Sequence, residues 1–259
     1  MPLYAGWFKI LFRKHKSRGE VLSVRKKTSV RRLIPVYAIV FVSCLVITVF
    51  GSRAITVMSE SSVLKGRTCI VIDAGHGGVD GGATSCTGVL ESTINLEIAL
   101  RLNDLMNFLG YKTFMIRTTD ISVYTEGESI AAKKVSDLKQ RVKLVNGTDN
   151  ALLISIHQNY FSDSRYSGGQ VFYATTPGSE LLAKNLQKTL VATLNQGSGR
   201  QAKKSTGVYL MEHIDHTGIL FECGFLSNFE EEKKLRDPGY QKKLCCVIAF
   251  SVSNFLTAE

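Results

Sequence analysis

Cys69-Ile-Val-Ile-Asp-Ala-Gly-His76 and Ala151-Leu-Leu-Ile-Ser-Ile-His157 are two apolar runs that each end on a histidine. Short runs with so little polarity read as strands buried on both faces, the kind found in parallel sheets covered by helices. The carboxyl ends of adjacent parallel strands open into the crevice where α/β proteins bind ligands. Residues placed there converge whatever their separation in sequence. The two imidazoles therefore read as two corners of a metal site. The alternative for His76 is a hydrogen-bonded turn histidine, and for His157 a satisfied core histidine.

Outward from these runs, strand-like and helical patterns alternate, the signature of an α/β domain with a mostly parallel or mixed sheet of about six strands and helices on both faces. The first run enters a loop, Ala74–Gly88, with six glycines. A helix follows with Ile94, Ile98, Leu102, Leu105 and Leu109 on one face, and Gly110 is a natural stop. The remaining expected strands are Lys112–Arg117, Gly169–Thr175, Gly207–Met211 and Gly218–Phe221. The remaining expected helices are Ser136–Asn146, with Ser136 as N-cap, Ser179–Leu194, and one from Pro238 to about Leu256. No internal repeat or second domain interrupts the pattern over residues 67–259.

The formal charge is +10 over 259 residues, but its distribution excludes a basic nucleic-acid-binding domain. Residues 1–32 hold ten Lys/Arg against Glu20, which leaves about +1 for the rest of the chain. Leu33–Phe50 then runs eighteen residues without a charge. As a helix it would extend about 27 Å, close to the hydrocarbon thickness of a bilayer. Residues 1–32 thus read as a cytoplasmic tail, 33–52 as a single-pass transmembrane signal anchor, and 53–66 as a stalk. The positive-inside rule puts the domain at 67–259 outside the cytoplasm. A cleaved signal peptide is the competing reading. The six cysteines, Cys44, Cys69, Cys86, Cys223, Cys245 and Cys246, form no C-x-x-C pair and read as buried free thiols.

Two carboxylates complete the set of chemical candidates. Glu222 follows the apolar Ile219-Leu220-Phe221, so burial should raise its pKa toward the range of a proton shuttle; a buried salt bridge is the bland alternative. Glu91 stands where the glycine loop becomes a helix. It reads either as a third metal ligand, since His2Glu plus water is an established zinc set, or as a first-turn carboxylate favoured by the helix dipole. His213 and His216 belong to a connecting loop. Cys223 beside Glu222 admits a thiol nucleophile with a histidine base. Asn159 and Asp73 stand close enough in sequence to the histidines to orient ligands from behind, or to serve only structure.

Together these residues resemble the zinc-dependent N-acetylmuramoyl-L-alanine amidases of the Amidase_3 family. The resemblance rests on Ile72-Asp-Ala-Gly-His-Gly-Gly78, Gly88-Val-Leu-Glu91, Arg117 with Asp120, Leu138 with Arg141, Ser155-Ile-His-Gln-Asn159 and Phe221-Glu-Cys-Gly-Phe-Leu-Ser-Asn228, in that order. It implies that His76, Glu91 and His157 bind Zn2+, that Glu222 is the catalytic carboxylate, and that the substrate is peptidoglycan. Within the family it is most similar to the spore-cortex amidases, which implies a role in muramic-δ-lactam formation. A membrane-associated protein activator is a further expectation from related enzymes. A non-catalytic peptidoglycan-binding protein and a zinc carboxypeptidase acting within the stem peptide are the alternatives. One departure stands out: the family often has proline before the strand carrying the catalytic Glu, where this chain has His216-Thr217-Gly218.

Overall fold

The computed structural model describes residues 68–258, together with residue 35 and residues 39–43. The expected tail, anchor and stalk therefore lie almost wholly outside the described residues. Among the described residues no helix is long and apolar enough to cross a membrane.

In chain order the elements are β1 Cys69–Ala74, α1 Glu91–Phe108, β2 Lys112–Met115, α2 Ile130–Asn146, β3 Ala151–Asn159, β4 Gln170–Tyr173, α3 Ser179–Thr193, β5 Lys203–Lys204, α4 Tyr209–His213, β6 Thr217–Phe225, α5 Phe229–Leu235 and α6 Pro238–Ala258. The six strands form one sheet in the order β2-β1-β3-β6-β4-β5. β2, β1, β3 and β6 run parallel, and β4 is antiparallel to β6. The chain leaves β1 toward one edge and returns to the other side of β1 as β3. That reversal of strand order puts a ligand-binding crevice between the carboxyl ends of β1 and β3.

Period-two alternation divides each central strand between two cores. Ile70, Ile72, Leu152, Ile154, Ile219 and Phe221 face a large cluster built with α1, α3 and α6. Val71, Leu153 and Leu220 face a smaller one with Val145 of α2 and Leu210 and Met211 of α4. By the same alternation Asp73, Ser155, His157 and Glu222 belong to the second face. There α2 and α4 cover less of the sheet, and polar side chains replace apolar ones toward the strand ends.

The expected helices and strands are present with four differences. α2 begins at Ile130, capped by Ser129, whose side chain accepts the Ala132 amide at 3.1 Å. Ser136 lies inside the helix, and its hydroxyl accepts the amides of Thr125 and Glu126 instead. The first turns of α2 are exposed, so no apolar stripe marks them. Gly207–Met211 is not a strand: Leu210 and Met211 are buried in the short helix α4, and Ile214 is buried just past its end. The sixth strand is β5, two exposed lysines with no pattern to read. α5 was not expected; Asn228 caps it by accepting the Glu231 amide at 3.1 Å. The described cysteines are all free, but Cys86 and Cys246 are exposed, not buried.

Candidate metal centre

His76 comes from the loop after β1 and His157 from the end of β3, with ring centroids 5.0 Å apart. Glu91, the first residue of α1, reaches between them. Its Oε1 lies 3.0 Å from His157 Nδ1, and its Oε2 lies 3.3 Å from His76 Nε2. One donor atom from each of the three lies within 4.8 Å of the others. Two imidazoles and a carboxylate at this spacing suit a borderline cation such as zinc with a fourth position left for water. Glu91 is thus both a first-turn acid of α1 and a carboxylate approached by both histidines, which makes it a ligand candidate.

Close packing of the loop makes this convergence possible. His76 itself has φ 59°, a left-handed conformation uncommon outside glycine. Gly75 lies so close to His157 that a Cβ there would overlap the imidazole ring. Two buried arginines grip the loop backbone. Arg117 donates to Ala74 O at 2.8 Å, Gly75 O at 3.1 Å and Ser92 O at 2.8 Å. Arg141 donates to Ala74 O at 3.1 Å and His76 O at 2.8 Å, and it pairs with Asp73 and Asp137.

Asp73 does not touch the histidines through a hydrogen bond. It binds Arg141 and accepts from Ser155 Oγ at 2.6 Å. Burial opposes its ionisation, but Arg141, His157 and Ser155 together hold it below the usual aspartate range. Its part is to anchor Arg141, which anchors the loop. Asn159 ends β3, and its carbonyl accepts the Leu226 amide at 2.8 Å. Its side chain is not among the groups bonded to His76, Glu91 or His157.

Asp80, Lys134 and Asn95, none of them a candidate from sequence, hold the His76 and Glu91 side chains in place. Asp80 accepts from His76 Nδ1 at 2.9 Å, which leaves Nε2 as the nitrogen that faces Glu91. Lys134 pairs with Asp80 at 2.7 Å. Asn95 donates to both Glu91 Oε1 and Gly75 O at 3.1 Å. Asp80 stands four residues after His76 in a loop that folds back through a Gly77–Asp80 bridge. The glycines flanking it were the available signal. The site opens into a cavity of about 270 Å³ between α2 and α4.

Glu222 enters from β6, directly paired with His157 in the strand register. Its Oε2 is buried and has no hydrogen-bond partner. Burial, reinforced by Glu91, pushes its pKa up to about 7 despite the opposing histidines. Burial also opposes a charge on His76, but Glu91 and Asp80 lift it to about 9. Glu91 is driven far the other way: burial is overcome by hydrogen bonds and charge from both histidines. Cys223 points to the opposite face from Glu222. It is buried, and burial raises its thiol well above the ordinary value, which removes the thiolate a nucleophile needs. His213 is exposed on α4, bonded to Tyr209 O, and His216 offers its carbonyl to Thr176; neither joins the cluster.

The chain is similar to known proteins in sequence and in fold. Residues 70–254 match the model of the Amidase_3 family, described as N-acetylmuramoyl-L-alanine amidase. The germination-specific N-acetylmuramoyl-L-alanine amidase of Bacillus subtilis is 38% identical over 192 residues, covering 73% of this chain and 80% of that protein. The CwlD amidase of Clostridioides difficile, solved in complex with the GerS lipoprotein, superposes with TM-score 0.71 at 33% identity, over 74% of this chain and 99% of that one. An N-acetylmuramoyl-L-alanine amidase from Clostridium difficile 630 gives TM-score 0.64 at 29% identity, over 74% and 98%.

Proposed function

The chain belongs to the Amidase_3 family of N-acetylmuramoyl-L-alanine amidases, and from that premise we propose that His76, Glu91 and His157 hold its zinc while Glu222 moves the proton. The enzyme is a hydrolase that cleaves the amide bond between N-acetylmuramic acid and the L-alanine of the peptidoglycan stem. When bound, zinc lowers the pKa of a coordinated water and polarises the carbonyl under attack. The observation that carries the assignment is the placement of Glu222 across from His157, with one buried oxygen unpartnered and a pKa near neutrality.

Such a carboxylate can take a proton from the attacking water and return it to the departing alanine nitrogen. Glu91 is unsuited to that task, because five groups hold it as an anion. Asp80 orients His76, and Arg117 and Arg141 keep the loop that carries it in place. Asp73 acts through Arg141, and Asn159 holds the turn beyond β3 through its backbone.

Peptidoglycan lies outside the cytoplasmic membrane, so the domain works there. The basic tail and the uncharged segment Leu33–Phe50 support a single-pass anchor with residues 67–259 extracytoplasmic. Likeness to a germination-specific relative supports a role in the spore cortex. The relative solved with a lipoprotein supports a membrane-associated protein partner for this chain as well.

The test is muropeptide mass spectrometry after treating cortex peptidoglycan with the zinc-loaded chain and with Glu222→Gln. Free stem peptides beginning with L-alanine are expected from the first and not from the second. Stem peptides left intact by folded, zinc-loaded protein would overturn the enzymatic reading in favour of a binding role. Products retaining L-alanine on muramic acid would make it a carboxypeptidase.

A further inference from the structure

Three aromatic side chains emerge within seven residues just beyond β3: Tyr160, Phe161 and Tyr166 are 54%, 47% and 48% exposed. Scattered exposed rings are ordinary on a protein surface, but a cluster held in fixed array is not. Phe161 and Tyr166 meet edge to face with centroids 4.8 Å apart, and Tyr166 lies 6.2 Å from the buried Phe225. Polar side chains pin the backbone that carries them. Ser227 Oγ accepts the Phe161 amide at 3.2 Å. Asn228 donates to Ser164 O at 2.8 Å and Tyr166 O at 3.3 Å. Glu231 accepts the amides of Gly168 at 2.8 Å and Phe225 at 2.9 Å. Arg200 donates to Ser167 O at 3.0 Å while its guanidinium sits 5.1 Å from the Phe225 ring.

Ordering the surface stretch 160–166 opposes folding through lost conformational entropy, and rings left half in water return little of it. Such a surface is organised ahead of a ligand. The strand that supports it also supplies His157. Tyr160 and Phe161 follow three and four residues later, just past the carboxyl end of β3 on which the site opens. The bond cut at His157 hangs from one sugar of a polysaccharide, so the flanking sugars must pass over this end or away from it. Pyranose rings present flat arrays of C–H groups that stack on aromatic faces, and their hydroxyls suit a rim of polar side chains.

We propose that Tyr160, Phe161 and Tyr166 form a shelf that binds the glycan strand of peptidoglycan to one side of the scissile amide. The shelf rests on the amidase reading above and gives it a polymer preference. With the shelf in place, intact strands are better substrates than a single disaccharide–peptide.

Two measurements on the full-length, zinc-loaded chain test this. The first is equilibrium binding of peptide-free glycan strands. The second is the ratio of kcat/KM for intact strands to kcat/KM for a disaccharide–peptide. Wild type is expected to bind the glycan, Phe161→Ala and Tyr160→Ser to weaken binding about five- to tenfold each, and Phe161→Trp to retain it. The kinetic ratio should fall by the same factor in the first two variants. Equal losses on both substrates, as a structural role would give, overturn the proposal. So does an unchanged ratio with unchanged binding, as a surface reserved for a protein partner would give. Glycan binding by a wild type that releases no stem peptide supports the shelf and overturns the amidase reading alone.

Discussion

Glu91 and Glu222 face the same two histidines from opposite surroundings. Glu91 sits at a helix start with backbone amides of Ala83 and Gln158, the Asn95 side chain and both imidazoles directed at its oxygens. Glu222 projects from an apolar strand with one oxygen buried and bare. Saturation with donors keeps the first carboxylate an anion, fit to hold a cation. Desolvation leaves the second near pKa 7, able to gain and lose a proton. One residue type thus takes two states, and the difference lies in what the fold places around it; the proposed roles of ligand and proton carrier rest on that difference.

Replacement tests that contrast, beginning with the largest effect. Glu222→Gln should lower kcat by about 10²- to 10⁴-fold, the usual worth of a general acid–base, in a steady-state assay on cortex fragments. A residual rate near wild type would give the proton to another group. Next, Arg141→Met leaves Asp73 buried and unpaired. About 3–5 kcal/mol of stability should be lost, read as a lower urea midpoint. Asp80→Asn keeps the volume but weakens the hold on His76; zinc affinity should fall about 10- to 100-fold in a chelator competition. Smallest is Ile154→Val in the large core, about 0.5–1.5 kcal/mol by the same urea midpoint, with zinc affinity unmoved.

Acid titration probes the support beneath the loop. Asp73 is held below the ordinary aspartate value, so its contribution to stability is complete above about pH 4 and is lost as the pH falls through the lower folded value. Wild type should therefore lose stability on acidification below pH 4. A stability that rises there would contradict an ionised Asp73 paired with Arg141.

The regions that were legible in the sequence are those where burial imposes a pattern. β1 and β3 are apolar because both faces are covered, and the histidines at their ends had nowhere to go but the crevice. Glu222 was legible for the same reason, since a carboxylate after three apolar residues must be desolvated. Glu91 was ambiguous because a helix start explains an acid there without any metal. Asp80 and Lys134 were missed because their meeting depends on loop geometry and on α2 crossing the sheet. β5 and the first turns of α2 are solvated, and solvent imposes no period on a sequence.

The division of labour between the two carboxylates is tested most directly by measuring zinc content and turnover in parallel for Glu91→Gln and Glu222→Gln. The structure leads us to expect that Glu91→Gln loses both zinc and activity. Glu222→Gln should keep one zinc per chain and lose turnover alone. Zinc lost equally from both variants, or full turnover by Glu222→Gln, would contradict the separation of metal ligand from proton carrier.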